Sequence, residues 1–235
     1  MITMADLVGR TVGGGRGDNH NNSDVVTDST LYNLVESAFF AMPKADPTTN
    51  QLRPAEVGRM RDMLQQTWAK IRDWLAAHPN ANDRKNAAMH QGQFLTTTLH
   101  LVCKLTDPPV DIVESLIHCS EETVAWPDIN GWIPLHNACV CGASGKVLKV
   151  LVKAYPGGTV AQDKRMRTPL HLAFFRKDAH ENDKMNLRVD VRKSPNEDED
   201  DDAVNSMPEI VALLADSGAA EMQDQGGMLP LHYAA

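Results

Sequence analysis

The residues of this chain best suited to chemistry are two His-x-x-Cys pairs, His100 with Cys103 and His136 with Cys139. His118-Cys119 and Cys141 lie close by in the sequence. Imidazole and thiolate at short spacing are what zinc takes, with ligand atoms about 2.0–2.3 Å from the ion. The two pairs, however, stand at the same place in a recurring sequence pattern, one in each of two successive units. Helices in such units lie about 8–10 Å apart, too far for the four side chains to converge on one ion. That spacing also exceeds the Cα separation of about 7 Å beyond which a disulfide cannot close. These histidines and thiols are read as structural, and no metal is expected.

No other set of residues suggests catalysis. There is no G-x-S-x-G, no Gly-rich phosphate loop leading to Lys-Ser/Thr and no H-E-x-x-H. Gly13 to Gly17 has no flanking strand and helix and reads as linker. The acidic run Glu-Asp-Glu-Asp-Asp-Asp at 197–202 lacks the glycine turn and final Glu of a calcium loop. The expectation is a non-enzymatic chain with no catalytic residue and no cofactor.

The elements that carry these residues are set by a chain of 235 residues, 42% hydrophobic and 5% aromatic, enough for one or two modest cores. No apolar run approaches the roughly 18 residues of a membrane span, and Met1 to Arg10 lacks the basic-then-apolar pattern of a secretory signal. Four cysteines at this length make no disulfide framework. The expected setting is intracellular and cytoplasmic, with the nucleus left open.

The formal charge of −8 is unevenly placed. Six negative charges sit in 197–202, whereas 141–177 holds eight basic residues against Asp163 alone. Ser194-Pro195 just before the acids would suit a proline- or acid-directed kinase, and phosphate would add about −1.5 to −2 to the block.

Residues 1–53 read as a largely disordered tail, rich in Gly, Asn, Asp and Thr. Within it Leu31, Leu34, Val35, Ala38, Phe39 and Met42 predict a helix over 31–42. That helix either forms transiently in the tail or docks on the body or on a partner. Residues 54–96 read as a helical cap, opened by Pro54 and striped by Val57, Met60, Leu64, Trp68, Ile71 and Leu75.

From residue 97 the sequence repeats. Thr97-Thr98-Leu99-His100 returns as Ile133-Pro134-Leu135-His136, then as Thr168-Pro169-Leu170-His171, and finally as Leu229-Pro230-Leu231-His232. The histidines are 36, 35 and 61 residues apart; the last interval is one period with an insertion, placed at about 178–206. Each opening is followed by a second apolar helix, at 110–118, 147–154 and 208–216. A turn-rich link then leads to the next opening. This pattern, with Thr168-Pro169-Leu170-His171-Leu172-Ala173 as its fullest instance and Asp128-x-x-Gly131 and Asp224-x-x-Gly227 in the links, resembles the ankyrin repeat. The resemblance implies an all-α solenoid of paired antiparallel helices with β-hairpin-like fingers, three complete units and the start of a fourth over 97–235. Leu99, His100, Leu135, His136, Leu170, His171, Leu231 and His232 would be its structural residues. Ile133 and Leu229 replace the Thr whose hydroxyl caps the first helix, and Met166 occupies a turn position the family usually gives to Gly, which implies local strain or a reshaped turn.

The resemblance also implies recognition of another protein through finger tips and the faces of the first helices. The candidate partner-binding residues are Trp126, Asn130, Trp132, Lys164, Arg165, Met166 and Arg167, with Gln223, Asp224 and Gln225 behind them. Lys146, Lys149 and Lys153, spaced along one helix face, add to a basic surface. An acidic partner would suit it, with the neighbouring acidic insertion competing for the same place. Nucleic acid is disfavoured by the −8 balance and by the lack of a recognised reading motif. Because the sequence stops inside the fourth unit, the alternative is the recognition region of a larger signalling or ubiquitin-pathway enzyme, with its catalytic part beyond residue 235.

Overall fold

A computed structural model describes residues 28–43, 53–105, 107–178, 207–215 and 218–234. Among these residues there are nine α-helices and no strand: α1 Thr30–Ala41, α2 Pro54–Ala77, α3 Ala81–Met89, α4 Thr98–Lys104, α5 Val110–Cys119, α6 Pro134–Cys141, α7 Gly145–Ala154, α8 Pro169–Asp178 and α9 Met207–Ala215. Short 3₁₀ turns lie between them, and the last spans Pro230–Tyr233. No described helix is long and apolar enough to cross a membrane. The acidic insertion with Ser194, and the stretches 1–27 and 44–52 of the expected tail, lie outside the described residues.

The helices form two layers. In one, α1, α4, α6, α8 and the Pro230–Tyr233 turn neighbour one another in succession; in the other, α2 with α3, then α5, α7 and α9 do so. One apolar core runs between the layers from Leu31 to Ala219. The short helices of the first layer are almost wholly enclosed: every residue of α4 from Thr98 to Cys103 is buried. The second-layer helices are amphipathic instead. On α7, Val147, Leu148 and Leu151 face the core while Lys146, Lys149 and Lys153 are exposed, the arrangement that a three-and-four spacing produces.

The helix at 30–41 is packed into this frame. Leu31, Tyr32 and Val35 are buried against α2, α3 and α4. The Tyr32 hydroxyl is hydrogen-bonded to Thr96 Oγ1 at 2.8 Å, and Trp74 Nε1–H of α2 donates to Thr30 Oγ1 at 3.0 Å. Among the described residues α1 is thus packed with the other helices, the docked alternative for the helix expected over 31–42. The wide apolar stripe of α2 needs a neighbour, and α1, which takes the first place in the first layer, packs against it. At the far end of α2, Arg84 of α3 donates through Nη2 to the Leu75 carbonyl at 2.7 Å, closing a terminus that Pro79 prevents from continuing.

Leu101, Asn137 and Leu172 hold one place in three successive first-layer helices, and all are buried. Asn137 has no hydrogen-bond partner for either its amide nitrogen or its oxygen among the described residues.

Candidate functional site

Four turns precede the first-layer helices and lie side by side: 92–96, 128–132, 163–167 and 224–228. Each is closed by the same backbone bond, from the N–H of its first residue to the carbonyl of its fifth: Gly92 to Thr96 at 2.9 Å, Asp128 to Trp132 at 2.8 Å, Asp163 to Arg167 at 3.0 Å and Asp224 to Met228 at 2.9 Å. Neighbouring turns are also joined. Ile129 N–H donates to the Phe94 carbonyl at 2.8 Å, Lys164 N–H to Asn130 at 3.0 Å and Gln225 N–H to Arg165 at 2.9 Å. The four turns thus form a single ridge with a continuous backbone rung between each pair.

In three of the turns an aspartate organises the loop. Asp128 Oδ1 accepts from Asn130 and Trp132 N–H, Asp163 Oδ1 from Arg165 and Arg167 N–H, and Asp224 Oδ1 from Gly226 and Met228 N–H. This Asx geometry fixes the turn locally. The second oxygen is engaged as well. Asp163 Oδ2 takes Trp132 Nε1–H at 2.9 Å and the Arg167 guanidinium at 2.8 Å; Asp224 Oδ2 takes the Tyr233 hydroxyl; Lys104 stands 4.0 Å from Asp128 Oδ2. Burial works to raise the Asp163 pKa, but the Arg167 N–H groups, its charge and the Trp132 indole outweigh it and hold the carboxyl below its ordinary value.

Histidines fasten each helix to the next turn. His100 Nδ1 accepts from Thr97 N–H at 3.2 Å, and its Nε2–H donates to the Trp132 carbonyl at 3.0 Å. His136 links Ile133 N–H to the Arg167 carbonyl, and His171 links Thr168 N–H to the Met228 carbonyl. An Nδ1 that accepts a backbone proton requires the neutral, Nε2-protonated ring. Burial pushes the pKa of His100 and His136 down to about 4. The same contact softens the loss of the opening Thr: Ile133 and Leu229 offer no hydroxyl, yet each still donates its N–H to the ring three residues on, Leu229 to His232 Nδ1 at 2.8 Å.

With both ring nitrogens committed, His100 and His136 have no lone pair for a metal. No group of three metal-capable residues occurs among the described residues, and none of the four cysteines is in a disulfide. Burial raises the Cys103 pKa far above its ordinary value, which leaves an unreactive thiol.

The candidate partner-binding residues divide into two groups. Asn130, Lys164, Arg165, Met166, Gln223 and Gln225 are exposed. Trp132, Arg167 and Asp224 are held within the ridge by the bonds above, and the Arg167 guanidinium lies 5.8 Å from the centre of the Trp132 ring; Trp126 is half-buried. Of the structural residues, Leu99, His100, Leu135, His136, Leu170 and His171 are buried, while Leu231 and His232 of the fourth opening are exposed. Sequence reasoning passed over the first turn, which has Gly92 in place of Asp and no glycine at its fourth position. Its tips, Phe94 and Leu95, are 64% and 50% exposed; the signal that could have found them is position, five and four residues before Leu99, where Asn130 and Gly131 stand before Leu135 and Arg165 and Met166 before Leu170.

No family model matches the chain, and no curated protein matches its sequence.

Proposed function

We propose that this chain is an ankyrin-type repeat protein, a helical solenoid whose work is to present a rigid surface to another protein without a chemical step. The four openings and their spacing support the ankyrin assignment, together with the histidine that links each helix to the turn ahead of it. The observation that carries the functional reading is the ridge: a row of exposed side chains on turns that are bonded to one another through the backbone. A surface held this way loses little conformational freedom when a partner binds, which leaves more of the contact energy as affinity. The exposed finger residues Asn130, Lys164, Arg165, Met166, Gln223 and Gln225 are the contact residues in this reading; Trp132, Arg167 and Asp224 hold the turns in shape.

A photo-crosslinking amino acid placed at Met166, and in a parallel variant at Lys153 on the second layer, tests it. The expected outcome is a defined protein adduct at 166 that disappears in the Lys164→Ala/Arg165→Ala background. Equal labelling at both positions would remove the ridge from consideration as the binding surface.

A further inference from the structure

The side chains on the ridge are not alike from end to end. Seven large hydrophobic residues are exposed among the described residues, and five of them stand on the four turns: Phe94 and Leu95 on the first, Ile129 (44%) on the second, Met166 (49%) on the third and Met228 (41%) on the fourth. So dense a row is unusual for a surface that meets only water. The charges are sorted as well. The turns contain three carboxylates, Asp128, Asp163 and Asp224, and all three point inward to bind the turns' own N–H groups. Lys164 and Arg165 point outward from the third turn, exposed. The nearest carboxylate in sequence, Asp163, is already taken by Arg167 and Trp132. The outer edge is therefore apolar at its first two turns and cationic at its third, and the half-buried Asp224 of the neighbouring turn is already engaged by the Gly226 and Met228 N–H groups and the Tyr233 hydroxyl.

We infer that the ridge receives an extended peptide that places a bulky apolar side chain against Phe94, Leu95 and Ile129 and a carboxylate, about five or six residues along, on Lys164 and Arg165. The spacing follows from the frame. Successive first-layer helices lie about 8–10 Å apart, so the first and third turns are separated by roughly 16–20 Å. An extended chain advances about 3.3 Å per residue. The inference rests on the ridge being the binding surface and adds the chemistry of what binds. A membrane is a poorer fit, because apolar and cationic groups are separated along a line and are not layered by depth. Nucleic acid is a poorer fit because two outward cations make few phosphate contacts.

The test is selection of displayed random 12-residue peptides on the immobilised full chain, with phosphatidylserine/phosphatidylcholine vesicles and a single-stranded oligonucleotide as parallel probes. The expected result is enrichment of sequences with an aromatic or Leu residue five or six positions from Asp or Glu. A synthetic peptide of that sequence should bind at least tenfold more weakly to Ile129→Ser and to Lys164→Glu/Arg165→Glu, both exposed substitutions whose folding is checked by thermal melting. Selection on the charge-reversed variant should return basic peptides in place of acidic ones. Peptides that depend on the turns but lack the apolar–acidic spacing overturn this inference and leave the ridge as the binding surface. Peptides indifferent to both variants overturn the inference and the proposed function together. No enrichment, or stronger capture of vesicles or oligonucleotide with the same dependence on Lys164 and Arg165, overturns the peptide assignment alone.

Discussion

The first and third turns of the ridge are closed by the same backbone bond and are held by opposite means. The third is organised from within: one carboxylate, Asp163, accepts two backbone N–H groups, an indole N–H and a guanidinium. The first has no carboxylate. Gly92 stands where the aspartate would be, Phe94 and Leu95 both take left-handed backbone with φ of 61° and 59°, and the turn is braced from outside by Tyr32 of α1. A Cβ on Gly92 would come within 2.1–2.3 Å of the Tyr32 ring. A local side-chain network and a tertiary contact thus support turns with the same closing bond, and they differ in which substitutions and which conditions undo them.

The largest effect is expected at the third turn. Asp163→Ala leaves Arg167, Trp132 and two backbone N–H groups without their acceptor, and loss of one member of such a part-buried network costs about 3–5 kcal/mol. Urea denaturation should show it as a lowered midpoint; an unaltered midpoint would mean that the carboxylate is not what holds the turn.

Acid should separate the regions next. His100 and His136 carry pKa values of about 4 in the fold against an ordinary 6.5, so the unfolded chain binds protons that the folded chain refuses. Their contribution is complete above pH 6.5, falls by about 1.4 kcal/mol per pH unit for each histidine as pH drops toward 4, and changes no further below that. The second and third turns, tethered through the Trp132 and Arg167 carbonyls, should lose amide hydrogen-exchange protection in this window before the first. Equal loss at Gly92 and Lys164 N–H would erase the distinction.

For the first turn, Gly92→Ala drives a methyl into a buried ring that is hydrogen-bonded to Thr96 and packed edge-on to His90. A destabilisation of about 2–3 kcal/mol is expected. Tyr32→Ala in the same background removes the clash, so the double variant should lose much less than the two single effects combined; simple additivity in denaturation would sever the link between α1 and the turn. The smallest effect belongs to Met166, with φ of 60°. Met166→Gly should raise stability by about 1 kcal/mol, measurable as an increased melting temperature, while weakening whatever binds the ridge.

How much of this was legible in the sequence follows the same division. The all-helical class and the positions of α2 and of α4 to α9 could be read because their apolar residues recur at helical spacing and their ends carry Pro, Asn or Gly. The strain expected at Met166 could be read from its place in the turn. The packing of α1 could not: its apolar face is clear, but nothing in residues 28–43 states which surface will cover it, and Tyr32 meets Thr96 across 64 positions. The first turn escaped notice because its determinant is a missing Cβ beneath a distant tyrosine. Trp132 and Arg167 are expected at a partner because they fall on the fingers, whereas both donate to a single oxygen of Asp163, visible only once the neighbouring turns are aligned.

The histidine tethers also measure how much chain the frame can enclose. They join residues 32, 31 and 57 positions apart at 3.0, 3.3 and 3.1 Å, so the geometry at the knot is indifferent to what lies between the ends. Lengthening an enclosed segment twofold costs only about 0.6 kcal/mol of closure entropy. The third and fourth turns accordingly keep the same rung, Gln225 N–H to the Arg165 carbonyl, across an interval nearly twice as long as the others.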